Sequence, residues 1–298
     1  MPFDINNSIL GKAAESCDCY DPSLLFRIPR SENRVQYQID DKNLPFTGVD
    51  VWNCYELSFL TANGFPVSRV LKIIYSADSQ YLVESKSLKL YLNSFNMERF
   101  EPTIKGSEIK VNQIIRKDLS LLLETEVQTT LFDENSKTLD AFKDLKDQNL
   151  TDLVPQQELE AIEFSDFLEN PDLLQGIINE NLQTYQFRSD LLRSNCRVTN
   201  QPDWGDLFIR ISSKYEIDLS AIIKYLVSFR KENHFHEEVV EMIFKRMYDK
   251  FEPEKLMVAA MYTRRGGIDI NPIRSTHKEW IDNAFLSTNQ RLEKTIRQ

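Results

Sequence analysis

The chain has 298 residues, 41% of them hydrophobic and 11% aromatic, which is enough for two ordinary domains with cores of their own. Its net charge of -10 is the opposite of the basic footprint of a nucleic-acid binder, and no apolar run approaches the roughly 18 residues needed to span a bilayer. The opening MPFDINN is not a basic stretch followed by an apolar core, so a cytoplasmic protein is expected, with the cysteines at 17, 19, 54 and 196 reduced.

Two strands are expected first. Residues 49–60 and 70–75 are rich in aromatic and β-branched side chains, and Asn63-Gly64 between them is turn chemistry. An amphipathic helix follows, in which Leu88, Tyr91, Leu92 and Phe95 share one face behind an acidic residue, Glu84. A second helix carries Ile109, Ile114, Ile115 and Leu122, and 125–132 is strand-like. Between Asp133 and Glu180 stand 13 acidic residues against Lys137, Lys143 and Lys146, so this run alone accounts for the net charge. We read 134–185, with Pro155 and Pro171, as a solvated but ordered connector, because apolar residues recur through it; short helices are expected near 159–168 and 173–178.

The second half repeats the first. YLVESKSLKLYLNSF at 81–95 aligns without gaps on YEIDLSAIIKYLVSF at 215–229, and Glu84 falls on Asp218. Ile222, Tyr225, Leu226 and Phe229 form the matching helical face, followed by a helix with Val240, Ile243, Phe244 and Met247; 207–211 and 255–262 are strand-like. The expected fold class is α+β: two tandem modules, 1–133 and 186–298, each an antiparallel sheet with two helices on one face, around the connector 134–185. No G-x-G-x-x-G occurs, so a dinucleotide would not be held in the Rossmann manner.

Chemistry concentrates in CRVTNQPDW, 196–204, which sets Cys196 and Asp203 seven residues apart across a Gln-Pro turn. A thiol attacks an electrophilic carbon, and a nearby carboxyl hands over a proton; at neutral pH that donor role requires a raised pKa for Asp203. An inert buried thiol and a turn-capping aspartate are the plainer readings of the same two residues. RRGG at 264–267 is either a basic turn between strands or a phosphate clamp, with Arg265 forking onto oxygens and Gly266 allowing close backbone approach.

These blocks resemble the NADPH-dependent 7-cyano-7-deazaguanine reductases, the nitrile reductases of queuosine biosynthesis, in their long two-module form. That family lies in the tunnelling-fold superfamily with GTP cyclohydrolase I. The resemblance rests on ESKSLKLYLNSFN at 84–96, CRVTNQPDW at 196–204, FHE at 235–237 and YTRRGGIDIN at 262–271, in the family's order, over about 20–275. It implies that Cys196 adds to the nitrile to give a thioimide and that Asp203 supplies the proton. It places Val83, Glu84, Ser85, His236 and Glu237 at the substrate, where a carboxylate of Glu84 or Glu237 would accept the paired N–H and amine of a guanine-like edge. The plainer role of Glu237 is an acid favoured at a helix N-terminus. It assigns Ser85, Lys86, Arg265 and Gly266 to NADPH, with Arg264 a further cation for the 2′-phosphate. It also implies a homodimer that acts on a free 7-deazapurine base, with no metal, nucleic acid or membrane as partner. Two departures stand out: Arg197 follows the cysteine where short relatives carry proline, loosening the strand exit, and the piece between Tyr75 and Tyr81 is short. A zinc-dependent relative using His234 and His236 remains an alternative, as does a purine-binding module without catalysis.

Overall fold

The computed structural model describes residues 19–296 and 298; the opening heptapeptide and Cys17 lie outside the described residues. The first half runs β1 (Arg27–Pro29), α1 (Ser31–Arg34), β2 (Thr47–Leu60), β3 (Pro66–Ser76), β4 (Tyr81–Val83), α2 (Ser85–Asn93), α3 (Ile104–Leu123) and β5 (Val127–Phe132). The link holds β6 (Thr138–Leu139), α4 (Lys143–Lys146) and α5 (Gln156–Ala161). The second half runs β7 (Gly176–Ser189), β8 (Arg193–Cys196), β9 (Pro202–Ile217), α6 (Leu219–Ser228), β10 (Asn233–His234), α7 (His236–Phe251), β11 (Lys255–Tyr262) and β12 (Ile268–Ser275), closing with α8 (Asn283–Leu286) and β13 (Arg291–Leu292).

The repeat is a strand–cap–helix unit used twice. Glu84 caps α2, its carboxylate accepting from the backbone N–H of Lys86 at 2.8 Å and of Ser87 at 2.7 Å. Asp218 caps α6 by accepting from Ala221 N–H at 3.0 Å. Behind each cap, Leu88, Tyr91, Leu92 and Phe95, and Ile222, Tyr225, Leu226 and Phe229, are buried at helical spacing. In α3 the buried stripe is Val111, Ile115, Leu119 and Leu123, a strict i+4 row; Ile109, expected on that face, is 50% exposed.

Among the described residues nine strands form one sheet, in the order β10-β8-β9-β11-β12-β2-β3-β5, with β7 also on β9. The halves join where β12 pairs antiparallel with β2, from Ile268 opposite Cys54 to Ser275 opposite Thr47. Helices α2 and α3 cover the first half of the sheet and α6 and α7 the second, each pair over its own apolar cluster. The other face is covered by the link and the C-terminal segment, through Ala141, Phe142, Leu145, Phe285 and Leu292. That packing explains the apolar residues within the acidic run. The expected helix at 173–178 does not form. A tight turn at Pro171–Leu173 leads into β7, whose Gly176, Ile177 and Ile178 pair with Ile217, Glu216 and Tyr215. The far end of the long strand β9 needs partners for its backbone groups, and β7 supplies them. The helix near 159–168 is confined to Gln156–Ala161.

At the join lies a buried cluster of charge. Asp50 of β2 accepts from Arg30 and, at 2.8 Å, from Arg274 of β12. Glu241 of α7 accepts from Arg274 Nε at 2.9 Å and from two nitrogens of Arg34, each at 2.8 Å. Burial disfavours the Glu241 carboxylate, but Arg274, Arg34 and Arg30 outweigh it and hold its pKa down at about 2. The short piece after Tyr75 is pinned by the same arginines: Arg34 donates to Ala77 O at 2.6 Å and Arg30 to Ser79 Oγ at 3.2 Å. Arg274→Met would leave Asp50 and Glu241 short of their cation. We expect a loss of about 3–5 kcal/mol in urea unfolding; a loss below about 1 kcal/mol would show that the cluster does not hold the halves together.

Candidate active site

One cavity of about 390 Å³ opens between the halves. Val83, Glu84, Ser85 and Lys86 reach it from the end of β4 and the first turn of α2. Cys196 reaches it from the end of β8, Asp203 from β9, His236 and Glu237 from the first turn of α7, and Arg265 and Gly266 from the β11–β12 turn. Of the residues the motifs single out for chemistry or binding, all but Arg264 therefore line the same space; the Arg264 guanidinium lies instead over the Tyr55 ring, 3.4 Å from its centre.

The 197–201 loop brings thiol and carboxylate together. Cys196 N–H donates to Gln201 O at 2.8 Å and Asn200 N–H to Cys196 O at 3.0 Å, with Asn200 in the left-handed region at φ 54°. Asp203, for which turn capping is the plainer reading of the sequence, is the second residue of β9 and is buried. Its expected raised pKa is not found. Burial pushes its carboxyl up, but His236 and then Arg265 outweigh burial and hold it below the usual carboxylate range. His236 Nε2 lies 3.4 Å from Asp203 Oδ2, and Arg265 donates to Oδ1. The Arg265 fork also donates to Thr199 Oγ1 at 3.0 Å and Gln201 Oε1 at 2.8 Å, so it ties the loop to Asp203. Cys196 contributes, after Asp203, to keeping this guanidinium charged against its burial.

Arg197 does not loosen the strand exit. It donates to Asn33 of α1 and to Glu238 of α7 at 3.0 Å, with its guanidinium 5.5 Å from the Phe235 ring centre. A three-way tether replaces the rigidity of proline.

The two glutamates differ. Both Glu84 oxygens already accept from the α2 backbone, and burial raises its pKa against those bonds. Glu237 is buried, and its Oε1 has no hydrogen-bond partner. Burial first, then the charge of Asp50, push its pKa up to about 7. An unpaired buried carboxyl beside a cavity is costly unless something enters to pair with it.

His234 and His236 point to different partners. His234 is clamped between Glu232, 2.7 Å from Nε2, and Glu238, 3.0 Å from Nδ1. Burial alone would lower its pKa, but Glu238 and Glu232 raise it. Among the described residues no three His, Cys, Asp or Glu side chains gather around a metal position. Cys19 is exposed; Cys54 is buried under α2, and burial drives its thiol pKa far up.

Sequence reading missed the opposite wall. Trp52 of β2 and Ile268 and Ile270 of β12 line the cavity, Trp52 directly opposite Ile270 in the ladder. No local signal marks Trp52, since it reaches the site only through a pairing between residues more than 200 positions apart. Phe235, Thr199 and Gln201 lay inside the motif blocks and were legible there.

Residues 17–131 match the model of the nitrile reductase, 7-cyano-7-deazaguanine-reductase N-term, and residues 202–280 match that of QueF-like protein. The chain is 41% identical over 287 residues to the NADPH-dependent 7-cyano-7-deazaguanine reductase of Hydrogenovibrio crunogenus (strain DSM 25203 / XCL-2), covering 94% of this chain and 96% of that one. Among solved structures, the apo archaeosine synthase QueF-Like matches 32% of this chain and 91% of its own, at 15% identity and a TM-score of 0.28. With both halves matched by family models, and with this identity along nearly its whole length, the chain belongs to the 7-cyano-7-deazaguanine reductase family.

Proposed function

We propose that this chain reduces the nitrile of 7-cyano-7-deazaguanine to the primary amine, 7-aminomethyl-7-deazaguanine, with NADPH. The observation that carries this reading is the single cavity lined by Cys196, the ionised Asp203 and Glu237 with its unpaired Oε1. Cys196 Sγ adds to the nitrile carbon while its proton passes to Asp203 and on to the nitrile nitrogen. A carbon–sulfur bond forms, the triple bond becomes C=N–H, and the product is a thioimide. Because Arg265 and His236 hold Asp203 ionised, it starts as a proton acceptor and donates only after the thiol has given up its proton. When bound, NADPH supplies hydride, and the four-electron change from nitrile to amine takes two NADPH per base. Cys196 leaves after the first reduction, and the walls of Trp52, Ile268 and Ile270 keep water from the imine.

The residues present fit the cofactor. Ser85 and Lys86 stand in the first turn of α2 and offer a hydroxyl and a cation to phosphate, the backbone N–H groups of Lys86 and Ser87 being taken by the Glu84 cap. Gly266, at φ 56°, leaves open a space in which a Cβ would stand 3.3 Å from the Lys89 amine. Arg265 is drawn toward Asp203 and the loop, so Lys86 carries more of the phosphate charge than the motif reading gave it. A homodimer is part of the proposal, supported by exposed Ile177 and Ile178 at the outer end of β7. No helix among the described residues is long and apolar enough to cross a membrane.

Absorbance of NADPH after addition of the base tests the function: two NADPH lost per base supports it, and no loss with intact reagents overturns it. Mass spectrometry of protein mixed with base alone should show a covalent adduct that is absent in Cys196→Ala. Asp203→Asn should form the adduct about 100-fold more slowly, and an unchanged rate would remove Asp203 from the proton path. Glu237 makes the affinity for the base depend on pH. Below about 7 its carboxyl keeps its proton, and above that it becomes the carboxylate that can accept two donors. The base should therefore bind more tightly as pH rises from 6 to 8, approaching tenfold per unit on the acid side. Glu237→Gln should flatten the curve, and a flat curve in the unaltered protein would count against this role.

A further inference from the structure

His236 is held by little. Its Nδ1 has no hydrogen-bond partner, and Nε2 makes one long contact, 3.4 Å, with Asp203. Rotation about the bond to an imidazole ring is broad and roughly two-fold, so one such contact does not fix the ring plane. What lies against the ring is Tyr262, the last residue of β11. The two ring centres are 3.9 Å apart and the planes 8° from parallel. Tyr262 is fully buried, and its hydroxyl has no hydrogen-bond partner, so packing alone seats the phenol. The seat is made by Gly205, directly opposite in β9: a Cβ there would stand 3.1 Å from Tyr262 Cε1.

We propose that Tyr262 is a positioning residue for this reaction: its ring, seated over Gly205, fixes the plane of the His236 imidazole and keeps Nε2 against the Asp203 carboxylate. The inference rests on the reading of Asp203 as the group that carries the proton. The ring is what acts. The hydroxyl is an unsatisfied buried group whose removal costs nothing in hydrogen bonding.

The chain has three histidines, so the imidazole signals of 13C,15N-histidine-labelled protein can be assigned by substitution. The His236 ring protons should lie upfield, shifted by the stacked phenol. Tyr262→Phe should keep that shift and keep kcat within about threefold. Tyr262→Leu should lose the shift and lower kcat about 10- to 100-fold, the scale expected of misplaced groups, with the Kd for the base changed by less than about threefold. Should the leucine variant not fold, Gly205→Ala reads the same split, because its Cβ displaces the ring without removing it. Loss of turnover in His236→Asn together with full turnover in Tyr262→Leu would overturn this inference alone, as would an unmoved His236 signal. Full turnover in His236→Asn would overturn it as well, whereas an unchanged adduct rate in Asp203→Asn would overturn the underlying proton path and this inference with it.

Discussion

Three arginines and two carboxylates, sealed from water where β12 meets β2, set the terms for the rest of this molecule. Arg30, Arg34 and Arg274 leave Asp50 and Glu241 fully paired, and each side chain comes from a different element: the turn before α1, α1 itself, β2, β12 and α7. Charges in such a place are tolerable only as a set, because removing one partner strands the others without water. The cluster therefore fixes where α7 begins relative to the first half of the sheet. The first turn of α7 carries His236 and Glu237, so the cluster also fixes the floor of the cavity.

It fixes the electrostatics as well. Glu237 lies one helical turn before Glu241 and feels Asp50 as its chief charged neighbour, which adds to burial in favouring the protonated form. Asp203, about as well buried, is driven the other way because His236 and Arg265 lie against it. Two carboxyls in one cavity are thus pushed apart in acidity, one toward neutrality and one well below it, and they divide the work between recognition and proton transfer. The expectation of a raised pKa at Asp203 failed because it weighed burial without His236 and Arg265, neither of which is near it in the chain.

That failure shows what a single sequence carries. The repeat, its acidic caps, the helical faces behind them and the hairpin at Asn63-Gly64 were all legible, because capping, periodicity and turn chemistry act over a few residues. The blocks around Cys196, His236 and Arg265 were legible for the same reason. What depended on register was not. Trp52 enters the site through the β12–β2 ladder, Tyr262 finds His236 through the seat opposite Gly205, and Arg197 finds Glu238 of α7. The strand from Gly176 was misread because Ile177 and Ile178 alternate with nothing local; only the length of β9 calls for them.

The repeat also explains why two similar units form one such site. In the first copy the cap Glu84 opens on the cavity, followed by Lys86 and Lys89 on the rim. In the aligned second copy Lys86 becomes Ser220 and Lys89 becomes Ile223, which is buried, so these two cations are gone, and Lys224 stands one position further on. The link packs beside it: Glu158 accepts from Ser220 Oγ, and Gln175 O accepts from Asp218 N–H next to the cap. A carboxylate of the link stands where the first copy offers a cation, which repels an anionic ligand. The acidic segment thus has a structural reason beyond solvation. It sets a carboxylate at the cap of the second copy, while the first turn of α7 serves the cavity built around the first copy.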